Sequence, residues 1–258
     1  MKKIQRIIGV VILIMGTAVL NGCTGKPKHE IQAVFDEYLA IYPTENVMDL
    51  FDKFDADFSI SSRDNGEEEI EESFIEGIHL QFNIEDRKAY GYYTKTRHWN
   101  DEKDFSQWEI IFEIPVMYDE KGYHIKEGVE VTVEQREKIM NFKFKFQYLN
   151  FQPEITTKYK KTDARYNSNA AIYGIDYILK NTDENFKKLV KENSDEDIIE
   201  DTLHLEILMM QMDNGASIRF RYRDKDEKKT HIKYTESISH NLKTTKFRDE
   251  YLENGEVE

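Results

Sequence analysis

Between Ile31 and Leu39 the apolar residues fall three and four positions apart: Ile31, Val34, Phe35, Tyr38 and Leu39 share one face. That spacing predicts a helix starting at Glu30. Tyr42-Pro43 ends it, because the residue before a proline is pushed out of the α region. Thr44 is placed to cap a second short helix whose Val47, Leu50 and Phe51 lie together. The period then changes to two. Phe58-Ser59-Ile60 opens a strand that Arg63-Asp64-Asn65-Gly66 and the acidic cluster Glu67 to Glu72 cut off. Ile78, Leu80, Phe82 and Ile84 alternate with polar residues, Tyr90, Tyr92 and Thr94 share a face, and Trp108, Ile110, Phe112 and Ile114 alternate again. The connections between these runs are too short for parallel crossovers, so they read as an antiparallel meander.

Thr132-Val133-Glu134-Gln135 matches a capping box and predicts a helix from Val133, with Ile139, Phe142, Phe146 and Leu149 continuing at helical spacing. Phe142, Phe144, Phe146 and Tyr148 also alternate as a strand would, and the capping box decides for helix. The aromatic stripe is read as core rather than as a ligand groove. The polar stretch 153–169 marks a lobe boundary. Beyond it come a strand from Ala171 to Leu179, a short helix capped by Thr182, and an acidic loop from Ser194 to Asp201.

Asn214-Gly215 between two alternating runs predicts a type I′ hairpin. With those residues as the turn, Met209 pairs with Phe220, Ile207 with Tyr222, and Glu206 stands across from Arg223. Leu203, Leu205, Ile207 and Met209 then share a face with Phe220 and Tyr222. The opposite face carries Arg219, Arg221 and Arg223, a candidate interaction surface. Three arginines in a stripe would suit a phosphate or a glycan; cross-strand charge pairing on a solvated face is the simpler account. His231 to Tyr234 adds a third strand, and the tail from Asn241 is highly charged.

The expected fold class is therefore α+β, with N-terminal helices, an antiparallel β-meander, a central helix and a C-terminal antiparallel hairpin sheet. Residues 30–152 and 153–240 form two lobes of one domain, followed by a charged tail, 241–258.

The N-terminus follows another logic. A basic start with Lys2, Lys3 and Arg6 precedes an apolar run from Ile7 to Leu20, 14 residues long, too short to span a bilayer. It closes on Leu20-Asn21-Gly22-Cys23, where Leu20 and Gly22 stand as the signal-recognition positions of a lipoprotein signal. Cys23 supplies the thiol for an S-diacylglycerol and, after cleavage, an amine for N-acylation. Residues 1–22 read as signal peptide, 23–29 as lipidated cysteine and tether. Cys23 is the single cysteine of the chain, which excludes an intrachain disulfide and a second thiol for catalysis. More than one acyl chain makes a stable anchor, on the outer face of the cell membrane.

Charge narrows the partners. The chain carries 36 Lys plus Arg against 50 Asp plus Glu, a net −14. Without residues 1–22 the balance is 33 − 50, or −17. That surplus argues against nucleic acid and against lying flat on anionic lipid. Fifteen Phe and fifteen Tyr, with only 4 Pro, fit a folded β-containing domain without a long linker. No G-x-S-x-G elbow, Gly-rich phosphate loop, H-E-x-x-H or EF-hand loop occurs, and the seven His have no metal-ligand spacing. No catalytic residue, metal site or cofactor is therefore assigned, and the chain is read as non-enzymatic.

Several motifs together resemble the staphylococcal tandem-type lipoproteins. They are the lipobox, Tyr42-Pro43-Thr44-Glu45-Asn46-Val47-Met48-Asp49-Leu50-Phe51-Asp52-Lys53, Gly91-Tyr92-Tyr93, Pro115-Val116, Asn141-Phe142-Lys143-Phe144, and Tyr148-Leu149-Asn150-Phe151. The resemblance covers the chain from Met1 to about Tyr173. It implies a membrane-anchored surface lipoprotein of a Gram-positive coccus that stimulates host innate immune receptors through its lipid and aids uptake by host cells. A host surface protein or innate receptor is the partner so implied. The competing reading is a solute- or envelope-polymer-binding lipoprotein, which would need a cleft lined by Tyr90, Tyr92 or Trp108.

Overall fold

The computed structural model describes residues 26–44, 46–65, 72–100, 106–192, 201–212, 215–223 and 232–240. Ten antiparallel strands form one sheet in the order β5-β4-β3-β2-β1-β10-β9-β8-β7-β6. The strands are β1 (Phe58–Asn65), β2 (Glu72–Asn83), β3 (Lys88–Asn100), β4 (Ser106–Asp119), β5 (Gly122–Ile125), β6 (Lys160–Asn167), β7 (Ile172–Lys180), β8 (Thr202–Met212), β9 (Gly215–Arg223) and β10 (Ile232–His240). Each half is a meander of sequence neighbours. The two halves meet where β1 pairs with β10, from Phe58–His240 to Asp64–Tyr234. Helices α1 (Lys28–Leu39), α2 (Val133–Met140), α3 (Pro153–Thr156) and α4 (Glu184–Glu192) complete the structure. It is α+β in the coarse sense, but strands dominate and the helices are few and short.

The alternation in the strands sorts residues to two faces. One face gathers Phe58, Ile60, Ile78, Leu80, Phe82, Tyr93, Ile114, Val116, Ile175, Tyr177, Leu205, Ile207, Ile218, Phe220, Tyr234 and Ile238 into a single buried cluster that runs across both halves. The helices close over it. Ile31, Phe35 and Leu39 of α1 are buried there at four-residue steps, as the periodicity predicts. Although α1 comes first in the chain, it packs on β6 and β7 of the far half. At the centre, the fully buried Phe220 ring stacks on Phe146 (5.0 Å) and Phe151 (5.2 Å) and meets the edge of Tyr42 (5.3 Å). Strands β2 and β3 come so close to their neighbours that a Cβ at Gly91 would lie 1.8 Å from the His79 carbonyl oxygen. Only glycine fits there.

The capping box is present: the Thr132 hydroxyl accepts from Gln135 N at 3.1 Å, and the Gln135 side chain accepts from Thr132 N at 2.9 Å. The helix it starts ends at Met140 instead of running to Leu149. Asn141 closes it by donating from its side chain to Glu137 O at 2.9 Å. Phe144, Phe146, Leu149 and Phe151 then drop separately into the core, so neither a helical nor a strand period describes them.

Other boundaries shift for local reasons. Asn46, not Thr44, caps the 3₁₀ turn Val47–Asp52, accepting from Met48 N at 2.9 Å, while the buried Thr44 donates to Ile41 O. Strand β1 does not break at Arg63, because a central strand is paired on both sides and Arg63 lies between Gly77 and Thr235. The polar stretch after Pro153 contains α3 and β6; β6 is an outermost strand, and an edge tolerates polarity. Helix α4 begins after Asp183, whose carbonyl accepts from Lys187 N and whose carboxylate accepts from Lys180 N, so Thr182 is not the cap. Strand β10 runs to His240, well past Tyr234.

The hairpin register differs by two residues from the expected one: Met212 pairs with Gly215, Met209 with Ile218, Ile207 with Phe220 and Glu206 with Arg221. A slip of two preserves both faces, so the hydrophobic pattern cannot distinguish these registers.

Phe220→Ala should destabilise the fold by about 3–5 kcal/mol, because a ring at the centre of an aromatic cluster leaves a cavity that its neighbours cannot fill. Urea denaturation followed by tyrosine fluorescence would measure it, and a loss below about 1 kcal/mol would contradict the central position of this ring.

Candidate interaction surface

Leu20, Gly22 and Cys23 lie outside the described residues, as do residues 67–71 and 193–200 of the two acidic loops and the tail 241–258. The described chain is engaged by Lys26, whose ammonium sits 4.9 Å and 4.8 Å from the Tyr166 and Tyr173 ring centres.

The helices all pack on one face of the sheet, so among the described residues no helix covers the other. Cross-strand register lays out its chemistry in rows. One row runs Gly77–Arg63–Thr235–Arg221–Glu206–Asp176, and the next His79–Ser61–Ser237–Arg219–Leu208–Gly174–Arg165. Two of the three expected arginines are placed side by side here. The backbone of Arg223 pairs with His204 and Ile232, and its side chain lies outside the described residues.

Arg221 is committed to Glu206, at 3.4 Å. Arg165 lies over Gly174, where a Cβ would come within 2.9 Å of it, and reaches Asp176 at 2.6 Å and Glu206 beyond. Burial works against the charge on Arg165, but the Asp176 hydrogen bond and the carboxylates of Asp176, Glu206 and Asp163 outweigh it and hold its pKa above the usual guanidinium value. Cross-strand charge pairing therefore accounts for Arg221. Arg219 differs. It is exposed, and partial burial of its charge together with repulsion from Arg221 and Arg63 holds it below the usual guanidinium range.

Arg63, on β1, was not singled out by the sequence. Only the β1–β10–β9 pairing brings it beside Arg219, and no local motif signals that. His79, one strand further, is held below its usual pKa by burial and by Arg63, which keeps it neutral at physiological pH.

A second exposed feature lies along β4. Between Lys95 and Thr96 the register shifts, so that Lys95 pairs with Phe112 but Thr96 with Ile110. This bulge puts Trp108 and Ile110 on the face opposite Phe112 and Ile114, contrary to the simple alternation. Trp108 is 62% exposed, Ile110 50% and Ile111 47%. Strand β5 pairs only with Val116–Asp119, so among the described residues β4 from Trp108 to Ile114 has an open edge. Tyr90 is buried, its hydroxyl donating to Asp86 at 2.9 Å. Tyr92 sits six residues along β3 from His98, the partner of Trp108, a separation of about 20 Å. The two tyrosines and Trp108 do not line one cleft.

Among the described residues no group of three or more metal-ligating side chains occurs, and no helix is long and apolar enough to cross a membrane. One carboxylate is fully buried on the core face. Glu236 accepts from Gln147 Nε2 at 2.9 Å, from the Tyr234 hydroxyl at 2.9 Å and from Phe146 N at 3.2 Å. Burial pushes it up to about 7 against these bonds. Its alternation with Tyr234 and Ile238 places it in the core, a signal already present in the sequence.

The chain is similar to known proteins. A profile described as the Csa1 family matches residues 27–243. An uncharacterised lipoprotein of Staphylococcus aureus strain N315 is 34% identical over 204 residues, covering 74% of this chain and 78% of the relative. Another S. aureus uncharacterised lipoprotein, named for its position in the plc 3' region, is 32% identical over 203 residues, covering 74% and 77%. A third, from strain MSSA476, is 32% identical over 201 residues, covering 73% and 77%. The relatives are all named as lipoproteins, which fits the resemblance to the tandem-type lipoproteins. This chain belongs to the Csa1 family.

The raised pKa of Glu236 gives a signed pH dependence. Between pH 4.5, its ordinary value, and about 7, the folded state keeps a proton that the unfolded state has released. Stability from this group is complete below that window and is lost as pH rises through it, on the order of 3 kcal/mol in all. Glu236→Gln should remove this component. Denaturation of both forms at pH 5 and pH 8 measures it, and a wild-type-to-variant difference that does not change with pH would refute the assignment.

Proposed function

We propose that this lipoprotein is a non-enzymatic interaction protein held at the outer face of the cell membrane by acyl groups on Cys23. In this reading the lipid engages innate immune receptors, and the folded domain contacts host cells and promotes uptake. The observation that supports a contact role for the domain is the open edge of β4. A strand edge left unpaired among the described residues, combined with exposed Trp108, Ile110 and Ile111, is the arrangement that proteins normally blunt unless it serves contact with a partner. An extended segment of a partner can add to such an edge through main-chain hydrogen bonds, with the flanking apolar side chains giving selectivity. The support for lipid anchoring is the Leu20-Asn21-Gly22-Cys23 sequence together with relatives named as lipoproteins.

Cys23→Ala in cells should move the protein from the membrane fraction to the medium and abolish acyl labelling; label retained by the variant would refute lipidation at this residue. Unlipidated residues 24–258 should bind epithelial cells saturably, and Trp108→Ser combined with Ile111→Lys should weaken that binding at least tenfold with unchanged melting. Binding no better than that of an unrelated acidic protein would remove the domain from the host-contact role.

A further inference from the structure

We infer that Arg63 and Arg219, with Ser61 and Ser237 between them, form a binding site for a polyol-phosphate polymer, a phosphodiester chain other than nucleic acid, on the face of the sheet that no described helix covers. This rests on the register and the ion pairs and is independent of the host-contact reading. Arg63 stands across from Thr235, and Ser61 is aligned with Ser237 and Arg219, so the two arginines flank β10 diagonally. At one strand spacing on each side and one residue pair along, their Cα atoms are about 12 Å apart. Each guanidinium can therefore lean over the serine row.

The nearby carboxylates are already used. Glu206 serves Arg165 and Arg221, and Asp176 serves Arg165. Among the described residues neither Arg63 nor Arg219 has an ion-pair partner, and both are exposed. The result, among the described residues, is a like-charged pair that makes no ion pair of its own, with Glu206 acting on Arg219 only at a distance, on a protein whose net charge is −14. The surrounding acidity repels anions elsewhere, which confines binding to this spot.

Phosphate suits the site better than carboxylate. Guanidinium forks engage phosphate oxygens in bidentate fashion, and a phosphodiester has further acceptors for hydroxyl donors. Ser61 and Ser237, hydrogen-bonded to each other at 2.7 Å, present those hydroxyls between the arginines, and Ser217 and Ser239, 2.8 Å apart, extend the row. An open sheet face gives a single small ion little burial. A polymer gains by presenting successive phosphates to the same row, which raises the effective concentration of each after the first. The overall negative charge disfavours a packed anionic bilayer as the source, since the whole surface would then be brought against like charge.

The test uses the full-length lipidated protein in neutral detergent micelles, with poly(glycerol phosphate) as probe. Saturable binding that weakens with salt is expected. Arg63→Gln and Arg219→Gln should each reduce affinity several-fold, and the double variant at least tenfold, while Arg136→Gln on α2 leaves it unchanged. Both arginines are exposed, so the variants should melt with the wild type, and circular dichroism checks this. His79 gives an independent readout: neutralising Arg63 with phosphate should raise the His79 titration midpoint measured by NMR. No saturable binding, or binding indifferent to the double variant, overturns the site. Equal affinity for inorganic phosphate overturns the polymer, and equal arginine-dependent binding to phosphatidylglycerol vesicles makes the lipid headgroup the ligand instead.

Discussion

Everything in this fold depends on the pairing of β1 with β10. Each five-stranded meander is built from neighbours in sequence, but the contact that makes them one sheet joins residues some 180 positions apart, Phe58 with His240 at one end. Without it, each meander would leave a long central edge unpaired and half of the aromatic core exposed. The buried Glu236 reinforces this seam. Its carboxylate takes bonds from the turn at Phe146 and Gln147 and from Tyr234, fastening the segment that crosses between the halves directly onto β10. A carboxyl group in that position is costly to keep charged, and the raised pKa expresses the cost.

The same seam sets the character of the opposite face. Because the described helices all cover one side, none of them covers the other, and its side chains are sorted by register alone. Toward β6 the charges cancel, Arg165 and Arg221 against Asp176 and Glu206. Toward the seam they do not, since Arg63 and Arg219 arrive from different halves of the chain. At the far end, the bulge between Lys95 and Thr96 turns Trp108 and Ile110 outward. A lipoprotein of the Csa1 family thus presents a polar row and an apolar edge on separate parts of one sheet, and each suits a different kind of contact.

Much of this was legible in the chain. The helix face of Ile31, Phe35 and Leu39, the capping box at Thr132 and the inward faces of β2, β8 and β9 all follow from periods of 3.6 and 2, which local backbone geometry imposes. The errors have physical causes too. The register of the β8–β9 hairpin slipped by two because such a slip leaves every side chain on the same face. The aromatic run from Phe142 to Phe151 matched two periods at once and follows neither, since the shape of the core, not the backbone, decides where each ring goes.

By itself, then, the sequence determined the antiparallel pairing of neighbouring strands, most of the buried faces and the resemblance to a lipoprotein family, since these depend on residue type and on local spacing; that strands dominate over helices emerged only in the fold. Only the tertiary structure decided that the two meanders form one sheet, that Glu236 is locked under the turn at Phe146, and that Arg63 stands beside Arg219. Those are contacts between residues 90 to 180 positions apart, where no local period carries information and the outcome is set by which strand edges find each other.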